Sequence, residues 1–236
     1  MRGPARALCA ELDRAGDPER AEHLQRFFRT GPGEYGEGDR FLGLRVPEVR
    51  AIARRHHELP LPDLADALAS PWHEHRQAAL FVLADRYRRA GPADRETIAD
   101  FYLEHLDAVN SWDLVDGSAP HILGAHMLER DRSVLYELAA SGHLWRQRVA
   151  VLATFAFIRA GQFQDTLRLA ELLRDHPHDL IHKAVGWMLR EIGKRDRAAE
   201  ERFLDRHAAR MPRTMLRYAI EKFEPERRRS YLQRRS

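Results

Sequence analysis

The chain has 236 residues, of which 44% are hydrophobic and 32% are charged, and its formal net charge is +3. This balance is typical of a folded helical protein and argues against disorder, and no apolar run approaches the ~18 residues of a membrane helix. The single cysteine, Cys9, excludes an internal disulfide and a cysteine-based zinc cluster. The N-terminal segment does not read as a secretion signal, so we expect one cytoplasmic domain over residues 1–236, without membrane association.

Charge is distributed unevenly along the chain. Residues 181–236 carry 16 Lys and Arg against 8 Asp and Glu, whereas residues 1–180 carry 23 against 28. A basic segment of this kind indicates a polyanionic partner, but a solvated Arg-rich helix face has the same composition. Charge alone does not separate these two interpretations.

Apolar residues recur with helical spacing through nearly the whole chain, as in Leu80, Leu83, Ala84 and Tyr87. Prolines and glycines stand where helices would begin and end. The pattern predicts an all-α chain of helices roughly 10 to 20 residues long, joined by short turns and without strands. The exception is the glycine-rich loop at residues 31–39, which we interpret as a connector rather than a mobile contact loop.

Five short segments align with one another at a nearly constant spacing. They begin 36, 36, 35 and 34 residues apart, at Arg76, Trp112, Arg148, Lys183 and Arg217. Such a period, with two helices per unit, predicts a right-handed α-solenoid of HEAT-like repeats with a concave groove. The equivalent positions place cations and a tryptophan on one wall. They could instead face the core, which is common for tryptophan but costly for four cations.

The segment from Asn110 to Gly124 is the candidate active centre. Asn110 or Ser111 can cap a helix, which places Trp112 and Asp116 one turn apart near its N-terminal end, with Asp113 pointing elsewhere. A carboxylate facing phosphates weakens binding to a polyanion, so Asp116 is best explained where a positive charge develops. A sugar acquires such a charge as its N-glycosidic bond breaks, and a fixed carboxylate stabilises it.

Two further residues fit this chemistry. Trp187 occupies the position equivalent to Asp116 in a later repeat, so Trp112 and Trp187 could flank the same sugar, since aromatic faces attract cations. Arg148 could hold an adjacent phosphate. The alternative is structural: Asp116 forms an ion pair with Arg148 or is a helix-end charge.

Other chemistries receive less support. His176, His178 and His182 are spaced like metal ligands, but no cysteine or acidic set completes a site, so we expect solvated or capping histidines and no metal. No phosphate-cradling glycine motif follows a predicted strand, and no lysine precedes Lys183, which disfavours a Schiff-base lyase. We therefore expect no cofactor.

Four segments together resemble the AlkD-like alkylpurine DNA glycosylases of the bacterial DNA alkylation repair family. They are FLGLRVPEVR (41–50), SWDLVD (111–116), LWRQRVAVL (144–152) and IHKAVGWMLREIGKRD (181–196). The resemblance spans nearly the full chain and implies that Asp116 is the catalytic carboxylate, that Trp112 and Trp187 cradle the deoxyribose, and that Arg148 engages the DNA backbone. It also implies a monofunctional hydrolase that excises cationic purines such as 3-methyladenine and 7-methylguanine without swinging the base into a deep pocket.

The partner implied is double-stranded DNA containing alkylated bases, bound by a monomer in the groove. Further DNA contacts are expected from Phe27, Arg76, Lys183, Arg190, Arg213 and Arg217. Phe27 stands where the family has a tyrosine, so the aromatic surface is kept and the hydroxyl is lost. Two alternatives stay open: a non-catalytic module that binds damaged or branched DNA through the same groove, and a repeat scaffold for proteins. Asp116 favours the enzyme, and the aligned cations argue against the scaffold.

Overall fold

The computed structural model describes residues 3–234, and within that range the chain is all-helical. The α-helices are α1 (Pro4–Ala15), α2 (Pro18–Phe27), α3 (Val46–Arg55), α4 (Leu61–Leu68), α5 (His73–Arg89), α6 (Pro92–Glu104), α7 (Trp112–Ser118), α8 (Ser133–Ala140), α9 (Leu144–Arg159), α10 (Gln164–Leu172), α11 (Asp179–Gly193), α12 (Arg197–His207), α13 (Arg213–Ala219) and α14 (Pro225–Gln233). Short 3₁₀ turns lie at Leu106–Ala108 and Ile220–Lys222, and a π-helical turn lies at Pro120–Gly124.

The all-α prediction is confirmed, although several helices are shorter than expected. Over residues 3–234 there is no strand, and the one β-type contact is an isolated bridge between Arg40 and Trp72. Helices α7 and α13 have only 7 residues, and α4 and α8 have 8. None of the helices in this part of the chain combines the length and the apolar character that crossing a bilayer requires.

The chain divides into two compact units, Met1–Ile122 and Leu123–Ser236. In the first unit, α5 packs against α3, α4 and α7. In the second unit, α9 packs against α8 and α10, and α11 packs against α9, α12 and α13. The single repeat domain expected from the sequence spacing stays a prediction.

The five aligned segments fall on every second helix. Their first residues lie within α5, α7, α9, α11 and α13. The spacing of about 35 residues therefore corresponds to one helix pair per period, as expected for stacked helical repeats. Equivalent positions differ in exposure, however, because Arg76 and Arg148 are buried whereas Arg217 is exposed.

The N-terminal end of α5 is polar and yet buried. The Glu74 side chain is 1% exposed, and its carboxylate accepts hydrogen bonds from the backbone N–H groups of Leu42 at 2.8 Å, Gly43 at 2.8 Å and Leu44 at 3.2 Å. Hydrogen bonds to an ionised acceptor are stronger than neutral ones, and they satisfy a charge that would otherwise be costly to bury. Glu74 thereby fixes the segment that leads into α3.

A glycine allows close packing in the second unit. A Cβ atom on Gly186 of α11 would lie 2.4 Å from the Met215 carbonyl oxygen and 2.6 Å from the Tyr218 Cβ on α13. Both distances are shorter than real Cβ contacts, so α13 could not approach α11 this closely with any other residue at position 186. Gly186 directly precedes Trp187, so this packing also fixes the backbone that carries the indole.

Candidate functional site

An aromatic cluster surrounds the start of α7 in the first unit. The rings of Phe28 and Trp112 stack with centroids 5.2 Å apart and an interplanar angle of 9°. Phe27, at the end of α2, meets Trp112 edge to face with centroids 6.1 Å apart. Phe28 is buried, whereas Phe27 is 58% exposed and Trp112 is half-buried. Trp112 is therefore packed on its buried side against Phe28, while Phe27 and Trp112 together form an aromatic surface that is partly exposed to solvent.

The stack continues inward from Phe28. Phe41 lies against Phe28 with centroids 4.8 Å apart, and the His73 imidazole lies against Phe41 at 4.5 Å with an interplanar angle of 21°. Aromatic pairs of this geometry contribute roughly 0.5–1.5 kcal/mol each beyond the area that they bury. Four rings thus connect the exposed edge of Trp112 to the beginning of α5.

His73 is the centre of a buried charge cluster. Its Nδ1 lies 2.9 Å from an oxygen of Asp39, and its Nε2 lies 2.8 Å from an oxygen of Asp113. Burial by itself would lower the pKa of His73, but the charge and hydrogen bond of Asp113, together with those of Asp39, raise the pKa to about 9. His73 is therefore a buried imidazolium between two carboxylates at neutral pH. It ties α7 to α5 through Asp113, whose carboxylate is directed to His73.

Arg76 belongs to the same cluster and has a structural role. Its guanidinium is 2.7 Å from an oxygen of Asp39, and it donates to the Ser70 carbonyl at 2.9 Å and to Asn110 Oδ1 at 3.2 Å. Only 5% of the residue is exposed. Because these partners already engage Arg76 in the interior, the DNA contact predicted for it would require the guanidinium to leave them. Arg76 joins the end of the 31–39 loop to Asn110, two residues before α7.

The candidate catalytic carboxylate lies one turn into α7. The N-cap of α7 is Ser111, Trp112 is its first residue, and Asp116 follows four residues later. Residues four apart in a helix share a face, so Asp116 and Trp112 lie on the same side of α7. Asp116 is half-buried rather than enclosed in the core. This side of α7 therefore presents a carboxylate and an indole together.

In the second unit, Trp187 is half-buried on α11. Its Nε1 donates to Glu191 Oε1 at 3.2 Å, and its ring lies 5.9 Å from that of Phe155. Burial would raise the pKa of the Glu191 carboxyl, but the hydrogen bond and charge of Lys194 hold it below its usual range. Glu191 is thus an ionised acceptor that fixes the orientation of the Trp187 indole.

The predicted DNA-binding cations of the second unit differ in exposure. Arg148 is 4% exposed, and its Nη1 donates to the Leu180 carbonyl at 2.6 Å. Lys183 pairs with Asp179 at 2.9 Å, and Arg190 pairs with Glu221. For Lys183 and Arg190, binding a phosphate would require exchange of a carboxylate partner.

The two arginines of α13 are exposed. Arg213 donates to the Leu232 carbonyl at 2.6 Å, and Arg217 borders a cavity of about 310 Å³ together with Arg228 and Arg229. These cations remain accessible to a polyanion. Of the basic positions expected from the sequence, they are the most exposed.

The histidines of the HPHDLIH segment have local roles. His178 is the N-cap of α11, and its Nδ1 accepts a hydrogen bond from the Leu180 backbone N–H at 3.1 Å. The His176 ring contacts Gln147 Oε1 at 2.9 Å. This agrees with the expected capping role. In the part of the chain that the structure describes, no group of three His, Cys, Asp or Glu side chains is arranged to hold a metal ion.

Sequence reasoning missed the inner part of the site, namely Phe28, His73 and Asp39. A signal was present, because the five residues His73–Gln77 are polar and directly precede the apolar run of α5. All five are buried. A polar run at the start of a core helix therefore indicated partners elsewhere, but the sequence did not identify them.

The fold and this site define an all-helical protein that presents an indole and a carboxylate from the start of one short helix. A family model described as DNA alkylation repair enzyme matches residues 8–223, so the chain belongs to that family and the expected family is confirmed. A solved structure named as a predicted DNA alkylation repair enzyme from Enterococcus faecalis has the same fold, with a TM-score of 0.69 and 16% identity, covering 89% of this chain and 97% of that one. A search of curated proteins found no match.

Proposed function

We propose that the protein is a monofunctional DNA glycosylase that hydrolyses the N-glycosidic bond of alkylated, cationic purines in duplex DNA, of the 3-methyladenine and 7-methylguanine type. The observation that carries this proposal is the position of Asp116. In a chain of the DNA alkylation repair family, this half-buried carboxylate lies one turn from Trp112 on the same side of α7.

The reaction depends on stabilising a cationic sugar and needs no general acid to protonate the leaving base. An alkylated purine already carries a positive charge, so when the C1′–N bond breaks, the base leaves with the electron pair as a neutral molecule. Positive charge then develops on the deoxyribose, and Asp116 stabilises it and orients the attacking water. Water adds its hydroxyl to C1′ and releases one proton, leaving an abasic sugar.

The aromatic residues have a complementary role in this proposal. Trp112, stacked on Phe28, is pre-oriented to contact the deoxyribose, and the exposed Phe27 extends the aromatic surface at its edge. Indole faces attract a developing cation by roughly 0.5–2 kcal/mol. Trp187, whose indole is fixed by Glu191, is proposed to have the same role. Arg148 is as buried as Arg76 and already donates to the Leu180 carbonyl, so the proposed contact of Arg148 with the DNA backbone would require its guanidinium to leave that partner.

The test is Asp116→Asn. We expect loss of excision by about 10²-fold or more, the scale seen when one preorganised charge is removed from a reaction centre. DNA affinity should stay the same or increase, because a negative charge facing phosphates is lost. The assay measures free 7-methylguanine released from methylated duplex DNA in a single turnover, with affinity measured separately by fluorescence anisotropy.

A matched control is Asp100→Asn, which removes a carboxylate from an exposed position on α6. This control should leave excision unchanged. If Asp116→Asn excises as fast as the wild type, the catalytic assignment is wrong. If the wild type binds damaged duplex but releases no base, the non-catalytic binding module is correct instead.

A further inference from the structure

A basic recess in the first unit is not explained by the residues already described. It has a volume of about 180 Å³ and is lined by Arg50, Ala53, Arg54, His57, Phe81, Val82 and Asp85. The residues from α3 and the turn after it supply its basic groups, and those from α5 supply its aromatic wall. Arg50, Arg54 and His57 follow one another at intervals of 4 and 3 residues, so they lie along one side of α3 and its continuation.

Arg50 is held in place without a carboxylate. Its guanidinium carbon lies 3.8 Å from the centre of the Phe81 ring, within the range of a cation–π interaction. Within residues 3–234, the Arg50 guanidinium has no hydrogen bond or ion pair. Burial and the nearby charge of Arg54 hold the pKa of Arg50 below its usual range. Arg50 and Arg54 are both exposed at the surface, so an anionic ligand could reach these two neighbouring cations and would stabilise them.

The other groups in the recess do not neutralise these two arginines. Arg54 donates its Nε to the Arg50 backbone carbonyl at 3.3 Å, and His57 Nδ1 contacts the Arg54 carbonyl at 3.0 Å. The one carboxylate of the lining, Asp85, pairs with Arg89 at 2.7 Å and also with Arg88, both from its own helix. The net charge around the recess is therefore positive.

The recess is coupled to the catalytic helix through Phe81. A Cβ atom on Gly117 would lie 3.2 Å from Phe81 Cε1, so the ring packs directly against the backbone of α7 at the residue after Asp116. The absence of a side chain at Gly117 permits this contact. Arg50 on one face of Phe81 and α7 at its edge are thus positioned by the same ring.

We propose that Arg50 and Arg54 together bind one phosphodiester group of duplex DNA. The planar guanidinium presents its N–H donors in a fork that matches phosphate oxygens, and the contact with Phe81 limits where this fork can lie. Such a contact positions the duplex without reading its sequence. The inference rests on the proposed function because it takes DNA as the ligand.

The experiment measures how the affinity for an undamaged fluorescent duplex depends on salt concentration. Each phosphate contact contributes about 0.9 to the slope of log K against log [salt]. The double variant Arg50→Ala/Arg54→Ala should lower the magnitude of that slope by about one, because both residues hold the same phosphate. Arg50→Ala alone should lower it by less, because Arg54 remains at that phosphate. Arg50→Lys keeps the charge, so it should retain the slope and serves as the variant of choice if Arg50→Ala folds poorly.

Arg14→Ala is the matched control, since it removes one arginine from an exposed position on α1 of the same unit. It should leave the slope unchanged. An unchanged slope in the double variant, or a decrease of about two, would overturn the proposal. A second refuting result is a site that holds free phosphate instead of DNA. In that case sodium phosphate at constant ionic strength raises the melting temperature of the wild type but not of the double variant, and the two proteins have the same DNA slope.

These outcomes are separate from those of the proposed function. The salt slope is measured on undamaged duplex, so it does not depend on base excision. Loss of excision in Asp116→Asn with a wild-type slope in the double variant would reject the phosphate site and retain the glycosylase. Wild-type excision in Asp116→Asn together with a lowered slope in the arginine double variant would retain the phosphate site and reject Asp116 as catalytic.

Discussion

The buried imidazolium of His73 makes protein stability depend on pH in a specific way. Its pKa is about 9 in the folded protein against an ordinary value of 6.5. A group whose pKa is raised by folding contributes stability below its unfolded pKa and loses that contribution as pH rises through its folded pKa. The interval between these two pKa values corresponds to about 3 kcal/mol, and little of this is screened by solvent because the ring is buried.

The perturbation is His73→Gln, with wild type and variant compared by urea unfolding at pH 6 and pH 9.5. The difference in the free energy of unfolding between them should shrink by about 3 kcal/mol over this interval, because only the wild type loses an imidazolium. In the wild type, the NMR titration of the His73 ring, assigned by its absence from the variant, should show a protonated ring at pH 8. A constant free-energy difference, or a ring that titrates near its ordinary value, would refute the reasoning.

Two more predictions concern the second unit. Burial raises the pKa of Glu200 to about 8, so folding favours the protonated form, and this contribution is present below the ordinary value of 4.5 and lost as pH rises through 8. Between pH 6 and pH 9, the free energy of unfolding of Glu200→Gln should therefore rise by roughly 3 kcal/mol relative to that of the wild type, as measured by chemical unfolding. A difference in unfolding free energy that does not change with pH would contradict the raised pKa. Gly186→Ala places a Cβ against the Met215 carbonyl and should cost about 1–3 kcal/mol, whereas Gly91→Ala, where nothing lies within 4 Å, should change stability by about 0.5 kcal/mol or less in thermal melts.

The features that depend on local periodicity could be predicted from the sequence. The all-α class follows from apolar spacing. The start of α7 after Ser111 could also be predicted, although the Ser111 side chain makes no capping hydrogen bond. With that start fixed, the shared face of Trp112 and Asp116 follows from helical geometry. The family could be recognised because its motifs are continuous segments of the chain.

The burial of individual cations could not be predicted in this way. Arg76 and Arg217 occupy equivalent positions of the period, yet Arg76 is buried and Arg217 is exposed. The difference arises from Asp39, which comes from the loop at residues 31–39 and meets Arg76 across 37 residues of sequence. A periodic pattern describes a helix face and contains no information about which distant loop covers it.

For the same reason, the role of Arg50 could not be predicted from the sequence. In the sequence it is one of many arginines, and its distinguishing property is a tertiary contact with Phe81 on another helix. Gly117 gave no separate signal because a glycine near the end of a short helix usually reflects helix termination. Its role became visible only from the distance between its backbone and the Phe81 ring.

The hydrogen bonds between the Glu74 carboxylate and the backbone of Leu42, Gly43 and Leu44 have an evolutionary consequence. Because the carboxylate accepts from amide hydrogens alone, these hydrogen bonds do not depend on which side chains stand at 42 and 44. Proline is the exception, since it has no amide hydrogen to offer. Divergent homologues could therefore keep these hydrogen bonds by retaining one acidic residue and the same number of residues between it and the segment, even where the sequence of the segment is no longer similar.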